Sequence, residues 1–291
     1  MKIAVCISSV PDTTSKINFT ENNSKFDSSG IQFVINPYDE FGLTKAMMLK
    51  EKTGGQLTVI TVGDISVEPV IRKALAIGAD DGVRINAIPV DSYFTANAIA
   101  TYLKENPVDL IIAGRESIDY NGGTVPGMIA EILNLPFVNA CNGLEMDGNT
   151  ANLSREIDGG KENLSVNLPL VIGGQKGLVE ESDLRIPNMR GIMQARSKPL
   201  TVVEPSSEIS LLSSESFEKP AEKSVCKLVD AGNVGELVDN YTPEHIAQKL
   251  NEMLTDEEKV KDWKQNMQKA KQELNWENEQ KKLIEIYSQF L

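Results

Sequence analysis

The sequence has few of the side chains on which hydrolases and metalloenzymes depend. Its 291 residues include one histidine, His245, which lies among charged residues towards the C-terminal end. A Ser-His-Asp or Cys-His catalytic apparatus would have to use that imidazole, and zinc and iron sites usually draw on several histidines or cysteines. We therefore expect neither catalytic residues nor metal ligands in this chain.

Cysteines and long apolar runs are also scarce. Cys6, Cys141 and Cys226 are odd in number, widely spaced and contain no Cys-x-x-Cys pair, which is typical of small buried thiols in a reducing compartment. No apolar run approaches the ~20 residues that a membrane span requires, and the N-terminus does not resemble a secretory signal. We expect a cytoplasmic protein that does not insert into membranes.

Basic side chains are outnumbered by acidic ones, and the formal net charge is −13 at pH 7. An acidic surface repels phosphate backbones and anionic lipids, so nucleic acid is a poor candidate partner. Hydrophobic residues make up 41% of the chain, which is enough for a sizeable core. The length suits one large domain with an appendage, or two small domains.

The first half of the chain alternates strand and helix signals, which predicts an α/β fold with a parallel sheet covered on both faces. The predicted strands are short β-branched runs at Lys2–Ile7, Leu57–Val62, Gly82–Ile85 and Asp109–Ala113. The predicted helices are Tyr38–Lys52, Val67–Ile77, Tyr93–Glu105 and Pro126–Leu133.

Beyond Cys141 the pattern changes to alternating strands separated by Asp-Gly-Asn and Asp-Gly-Gly turns, which predicts antiparallel strands added to the sheet. The α/β domain is expected over residues 1–205. Residues 206–240 begin with a Ser-, Glu- and Pro-rich stretch and predict an extended arm or linker. Residues 241–291 carry helical signals and predict a C-terminal helical extension.

The clearest local motif is the segment Gly114–Pro126, which leaves a predicted strand and enters a predicted helix. Free backbone amides and the helix dipole attract phosphate there, and the pair Gly122 and Gly123 lets the backbone approach a ligand closely. Thr124 either caps the helix or binds a phosphate oxygen, and Asp119 either accepts from a ribose hydroxyl or orients the loop. Such a turn is as often only a connection, and it matches neither a Walker A loop nor a GxGxxG motif.

Three further segments end strands or begin a helix. Cys6–Ser8 and Val62–Asp64 end strands, and Asn36–Asp39 opens the first long helix. Ligands of open parallel sheets bind beyond the carboxyl ends of the strands, so these segments are expected to line one crevice with the Gly114–Pro126 loop. Taken alone, Asn36-Pro37 is equally well explained as a simple helix start.

Several motifs in the same order as in a known family make the chain resemble the beta subunit of electron-transfer flavoproteins over about residues 1–205. The motifs are Asn36–Asp39, Ala74–Asp80, Gly114–Pro126, Arg155–Gly160 and Arg185–Arg196. The resemblance implies a Rossmann-like, adenine-nucleotide-binding domain. It also implies an alpha subunit that carries the electron-transferring FAD.

Within this subunit the resemblance implies either AMP or, as in electron-bifurcating members, a second FAD, and no turnover of its own unless it bifurcates. The strand-end argument and the resemblance together give a set of cofactor-binding residues. They are Cys6, Ile7, Ser8, Asn36, Pro37, Tyr38, Asp39, Val62, Gly63, Asp64, Gly114, Arg115, Ser117, Asp119, Asn121, Gly122, Gly123, Thr124 and Val125.

The segment 185–196 resembles the family's recognition loop, which docks dehydrogenases, acyl-CoA dehydrogenases among them. Met189 takes the place of the apolar anchor, although Glu181–Ile186 departs from the usual Asn-Glu-Pro-Arg-Tyr before it. The tail after Val238 runs about fifty residues beyond the usual family end. The expected partner-docking residues are Arg185, Ile186, Pro187, Met189, Ile192 and Met193.

Two other readings remain open at this point. A stand-alone adenine-nucleotide-binding module, like the universal stress proteins, would have the same sheet and phosphate loop but would not need segment 185–196. A glycosyltransferase fragment is suggested only by a weak likeness in the C-terminal tail, and the N-terminal half lacks an evident sugar-nucleotide site.

Overall fold

A computed structural model of the chain describes residues 1–206, 209–221, 242–273 and 280–281. The chain divides into two compact units, Met1–Glu218 and Lys219–Leu291. Cys226, most of the predicted linker and the last residues of the predicted helical extension lie outside the described ranges.

The first unit is built on a nine-stranded sheet in the order β11-β10-β9-β12-β8-β1-β6-β7-β13, with two small two-stranded sheets, β2-β5 and β3-β4. All neighbours from β9 to β13 run parallel, and β10 is antiparallel to both β9 and β11. The strands are β1 (Lys2–Cys6), β2 (Ser9–Pro11), β3 (Phe19–Thr20), β4 (Lys25–Phe26), β5 (Phe33–Ile35), β6 (Gln56–Val62), β7 (Asp81–Ile85), β8 (Leu110–Gly114), β9 (Phe137–Asp147), β10 (Thr150–Ile157), β11 (Gly160–Asn167), β12 (Leu170–Gly174) and β13 (Leu200–Val203).

Helices cover both faces of the sheet. Because successive strand residues point to opposite faces, Val5 joins one core cluster and Cys6 joins the other. The first cluster packs under α1 and α2, and the second under α3 and α4. The helices are α1 (Pro37–Thr53), α2 (Glu68–Ile77), α3 (Ser92–Glu105), α4 (Val125–Leu133), α5 (Met189–Ala195), α6 (Pro243–Thr255) and α7 (Glu257–Glu273), with 3₁₀ turns at Ile65–Val67 and Glu181–Asp183.

This architecture confirms the predicted α/β class, the mostly parallel sheet, the added antiparallel strands and the C-terminal helices. The sequence analysis missed α5, β13 and the four short strands β2 to β5. The strand β13 pairs in parallel with β7, with Leu200 opposite Gly82, and closes one edge of the sheet. It is four residues long and none of them is fully buried, so it has neither the length nor the apolar alternation that announces a strand.

The second unit contains α6 and α7. Thr242 precedes Pro243, and its hydroxyl oxygen accepts the backbone N–H of His245 at 3.4 Å, in agreement with the predicted helix start. In the part of the chain that the structure describes, no helix is both long enough and apolar enough to cross a membrane. The same residues hold no group of three or more His, Cys, Asp or Glu side chains arranged around a common point.

Candidate functional site

The carboxyl ends of β6, β1, β8 and β12 lie side by side along one edge of the sheet. Cys6 is opposite Ile60, Val5 is opposite Ile112, and Gly114 is opposite Gly174. The predicted segments Cys6–Ser8 and Val62–Asp64 and the start of the Gly114–Pro126 loop therefore follow adjacent parallel strands, at the edge where ligands of such sheets bind.

Asp39, in the first turn of α1, ties two of these strand ends together. Its carboxylate is buried, with Oδ2 accepting the backbone N–H of Ser8 at 2.7 Å and Oδ1 accepting that of Gly114 at 2.8 Å. A Cβ added to Gly114 would lie 2.4 Å from Oδ1. Glycine is thus required at this position by the close approach of β8 to the Asp39 carboxylate.

Asn36 fixes the next part of the loop. Its fully buried side chain donates from Nδ2 to the carbonyl oxygen of Glu116 at 2.9 Å and accepts the backbone N–H of Ile118 at 3.3 Å. It occupies the N-cap position of α1 but makes no capping hydrogen bond, because both ends of the amide are used by the loop. The helix start and the loop are therefore one hydrogen-bonded unit.

Burial sets the protonation of the two titratable groups beneath the site. Burial raises the pKa of Asp39 to about 7, although the backbone amides of Ser8 and Gly114 favour its charged form. Burial, with a smaller contribution from the charge of Asp39, raises the pKa of the Cys6 thiol to about 12. Cys6 is therefore a neutral apolar side chain at neutral pH and not a nucleophile.

The loop after Ile118 is shaped by its own side chains. The carboxylate of Asp119 accepts the Ser117 hydroxyl at 2.6 Å and the backbone N–H of Tyr120 at 2.9 Å. Ser117 donates its backbone N–H to the carbonyl of Gly122 at 3.0 Å, and Asn121 has a left-handed φ of 50°. These contacts close a tight polar turn, in which Asp119 orients the loop.

The space beside Gly122 is open, and no side chain of the described residues caps the start of α4. A Cβ added to Gly122 would have Ser92 Oγ as its nearest neighbour, at 4.0 Å. Thr124 occupies the N-cap position of α4, yet its side chain makes no capping hydrogen bond, unlike the capping alternative raised by the sequence. The first-turn amides of α4 are therefore left without a side-chain cap at an exposed loop.

The segment Val62–Asp64 lies beside Cys6–Ser8, because β6 is the neighbour of β1. Asp64 is exposed, and its Oδ1 accepts both the backbone N–H of Ser66 at 2.9 Å and the Ser66 hydroxyl. These two hydrogen bonds lower the pKa of the Asp64 carboxyl. Its position at the sheet edge agrees with the prediction, while its carboxylate serves the short 3₁₀ turn.

Sequence reasoning missed a polar chain that starts at Arg115. The Arg115 guanidinium lies 5.9 Å from the centre of the Tyr38 ring and donates to Gln175 Oε1 at 2.9 Å. Gln175 is buried and donates in turn to Glu156 Oε2 at 2.7 Å. A polar residue directly after the buried strand β12 was the signal that would have identified Gln175.

The predicted docking residues form an exposed apolar surface on and before α5. Ile186, Met189 and Met193 are 85%, 75% and 69% exposed. Ile192 is also exposed, Pro187 is half-buried, and Arg185 donates to Glu51 Oε2 at 3.0 Å. Exposure of this much aliphatic and thioether surface in one short segment is typical of surfaces that bind other proteins.

The first unit is an α/β domain in which a polar, glycine-containing loop, Gly114–Pro126, lies at the carboxyl ends of the parallel strands. The Electron transfer flavoprotein domain family matches residues 24–208. The chain belongs to this family, and most of the relatives described next are named as its beta subunit.

Three relatives illustrate the match. Electron transfer flavoprotein subunit beta of Bacillus subtilis is 36% identical over 208 residues, which cover 70% of this chain and 79% of the relative. The subunit of the same name from Syntrophomonas wolfei is 36% identical over 226 residues, or 77% of this chain and 87% of the relative. Acryloyl-CoA reductase electron transfer subunit gamma of Anaerotignum propionicum is 31% identical over 210 residues, covering 70% and 78%.

Proposed function

We propose that the chain is the beta subunit of a heterodimeric electron-transfer flavoprotein. It binds an adenine nucleotide on the Gly114–Pro126 loop and pairs with an alpha subunit that carries the electron-transferring FAD. It docks dehydrogenases through the surface around α5, and it has no independent turnover unless its own nucleotide is a redox-active flavin. The proposal starts from membership of the family. The geometry of the Gly114–Pro126 loop supports the nucleotide site.

The observation that favours a nucleotide is the open side of Gly122. Packing against the described chain does not require a glycine there, since the nearest atom to its Cβ position is 4.0 Å away. A close-lying phosphate does require one. The uncapped amides at the start of α4 supply donors and a favourable dipole for that phosphate.

The residues around the loop suit an adenine nucleotide. Gly122–Val125 would hold the phosphate, and Cys6–Ser8 and Val62–Asp64 would flank the nucleoside from the neighbouring strand ends. Asn36 and Asp39 would not contact the nucleotide directly but would hold the loop and the strand ends in place. AMP would serve as a structural ligand there, whereas a second FAD would add a redox centre to this subunit.

Docking through α5 is supported by the exposure of Met189 and by one relative. The Anaerotignum protein is named an electron transfer subunit of an acryloyl-CoA reductase, which favours an acyl-CoA dehydrogenase as the partner of this chain. An exposed thioether is flexible and polarizable, so one anchor is able to fit pockets of different shape. We propose that Met189 is this anchor, with Ile186 and Met193 beside it.

Cofactor content of the purified complex tests the proposal. The chain is co-expressed with a candidate alpha subunit, and released FAD and AMP are quantified per heterodimer. One FAD and one AMP would indicate ordinary electron transfer, and two FADs without AMP would indicate a bifurcating-type protein. A homodimer that holds ATP and no flavin would overturn the proposal in favour of a stand-alone nucleotide-binding module.

A matched pair of substitutions tests the docking surface. Ile186→Ala removes an apolar side chain from the proposed surface, and Ile157→Ala removes an equally large, exposed one from β10. In an assay of flavin reduction by an acyl-CoA dehydrogenase, Ile186→Ala and Met189→Ala should raise the KM for the dehydrogenase. Equal effects of Ile186→Ala and Ile157→Ala would contradict docking at this surface.

A further inference from the structure

Helices α2 and α5 are joined by two basic side chains, Arg72 in α2 and Lys198 just after α5, and each binds carbonyls at or near the end of the opposite helix. Arg72, in α2, donates from Nη1 to the carbonyl oxygens of Ala195 at 2.8 Å and of Lys198 at 2.9 Å, at and just beyond the end of α5. Lys198 donates from Nζ to the carbonyl oxygens of Leu75 at 2.8 Å and of Ala79 at 2.6 Å, at the end of α2.

This reciprocal arrangement, which we term the Arg72–Lys198 clamp, satisfies carbonyls that a helix cannot pair by itself. The last carbonyls of a helix lack intrahelical donors, and the negative end of its dipole favours a cation there. Arg72 of α2 supplies the cation for the end of α5, and Lys198, just after α5, supplies one for the end of α2. Both contacts form only while α2 and α5 stay in register with one another.

The contact between the two helices is also too close for a side chain at Gly191. A Cβ at that position would lie 2.2 Å from the carbonyl oxygen of Ala76 in α2. The amide of Gly191 is itself occupied, since it donates to Asn188 Oδ1 at 2.7 Å. The clamp and this close approach together fix the orientation of α5 on α2.

The helix α5 needs such support. It has seven residues, of which Ala195 alone is buried, and a helix of that length is unstable in water without tertiary contacts. A third cation, Lys50 of α1, strengthens the end of α2 by binding the carbonyl oxygen of Gly78 at 3.2 Å and the carboxylate of Asp80. Burial and the neighbouring charge of Lys50 lower the pKa of Lys198, whose direct partners are the two backbone carbonyls.

We propose that Arg72 and Lys198 are positioning residues for partner docking, because the clamp holds the exposed face of Met189 and Met193 in one orientation before a dehydrogenase arrives. This inference rests on the proposed docking function of α5. Neither basic side chain belongs to the exposed apolar surface, and both act through the backbone of the segment that follows Asn188. A surface that is already ordered loses less conformational entropy on binding, which strengthens the encounter complex.

The test uses the heterodimer reconstituted with its alpha subunit and compares Arg72→Gln, Lys198→Met and the conservative Arg72→Lys with the unsubstituted protein. Hydrogen exchange is read at the amides of Gly191 and Ile192, and electron transfer from an acyl-CoA dehydrogenase is measured over a range of dehydrogenase concentrations. Arg72→Gln and Lys198→Met should speed exchange at these amides by about tenfold, the scale of one to two net hydrogen bonds. The KM for the dehydrogenase should rise several-fold while kcat and nucleotide content stay unchanged.

Arg72→Lys keeps a cation at the end of α5 and should restore most of the lost protection and affinity. Because both side chains hold the same contact, the double variant Arg72→Gln, Lys198→Met should lose less than the product of the two single effects. Unchanged exchange in both single variants, or faster exchange without a rise in KM, would overturn the clamp as a positioning device.

The outcome also separates this inference from the function on which it rests. If Met189→Ala raises the KM and Arg72→Gln does not, the docking surface is correct and the clamp is wrong. If none of these variants changes the KM, or if the complex accepts no electrons from the dehydrogenase, both the docking role and the clamp's part in it are overturned.

Discussion

The carboxylate of Asp39 accepts the backbone N–H of Gly114 at 2.8 Å, although 75 positions of sequence separate the two residues. This contact joins the first turn of α1 to the carboxyl end of β8, where the Gly114–Pro126 loop begins. The other carboxylate oxygen holds Ser8 at the end of β1. One buried side chain thus sets the spacing between two strand ends and the loop.

Gly114→Ala should destabilise the protein, because its methyl group would occupy the position 2.4 Å from Asp39 Oδ1 and break this hydrogen bond. Leaving the buried carboxylate and amide poorly paired costs about 1–3 kcal/mol. Urea unfolding of the purified protein measures this loss. A free energy of unfolding equal to that of the unsubstituted protein would show that β8 and α1 are able to separate at no cost.

Gly122→Val should leave the stability of the protein almost unchanged but abolish nucleotide binding. The chain leaves room for the new side chain, so the free energy of unfolding without nucleotide should change by no more than about 0.5 kcal/mol. Nucleotide retention should be lost, because the valine would stand where the phosphate approaches. Gly160→Val, which adds the same side chain at an open position beginning β11, is the control and should keep its nucleotide. Full nucleotide occupancy in Gly122→Val would show that the phosphate does not bind beside Gly122.

The free energy of unfolding should depend on pH because Asp39 titrates at a different pH in the folded and unfolded states. Burial raises its pKa from 3.8 to about 7, so the folded state holds this proton more tightly than the unfolded state does. The contribution of Asp39 to the free energy of unfolding is therefore largest below pH 4 and falls as the pH rises to about 7. Asp39→Asn does not titrate at this position, although one backbone amide loses its acceptor.

Urea unfolding between pH 4 and pH 8 measures this effect as the difference between the unsubstituted protein and Asp39→Asn. That difference should become less favourable to the unsubstituted protein across the window and then level off. Asp158→Asn, at an exposed turn, controls for the exchange of a carboxyl for an amide. A flat difference for Asp39→Asn would mean that Asp39 is already ionised near pH 4.

Phe217 should hold the segment after β13 against the rest of the first unit. Its ring stacks on Phe19 with centroids 5.1 Å apart, and its backbone N–H donates to the carbonyl of Asn23 at 2.7 Å. The backbone amides of Leu211 and Leu212 both donate to the Asp91 carboxylate, which also caps α3. Phe217→Ala removes a stacked pair worth about 0.5–1.5 kcal/mol beyond its buried area.

Limited proteolysis checks this prediction, because residues 209–217 should be cut several-fold faster in Phe217→Ala than in the unsubstituted protein. Phe33→Ala, which truncates another partly exposed phenylalanine, controls for the loss of a ring. Equal cutting of all three proteins would show that the Asp91 contacts alone hold the segment.

The sequence was sufficient for those parts of the site that are local. Strand ends and the turn around Gly122 follow from short patterns, so the sheet edge and its loop were predicted before their geometry was known. The roles of Asn36 and Gln175 were not, because each depends on partners that are distant in sequence. Asn36 was explained equally well as a helix start, and only the fold brings it to Glu116 and Ile118.

Elements stabilised by their neighbours were missed for a related reason. The seven residues of α5 span too few turns for their apolar spacing to predict a helix, and their stability comes from Arg72, Lys198 and the approach of Gly191 to α2. Thr124 shows the converse case. Threonine is a common N-cap residue, yet the Thr124 side chain makes no capping hydrogen bond. Residue type shows which bonds a side chain is able to make, but only the fold decides which of them form.

The position of β13 has a consequence for synthesis on the ribosome. Its partner β7 is complete once residue 85 has been made, but residues 200–203 are the ones that cover its outer edge. Until they emerge, the nascent chain presents an unpaired strand edge, the kind of surface on which two chains pair wrongly. Because the segment around α5 is made just before β13, the proposed docking surface forms together with the strand that ends this exposure.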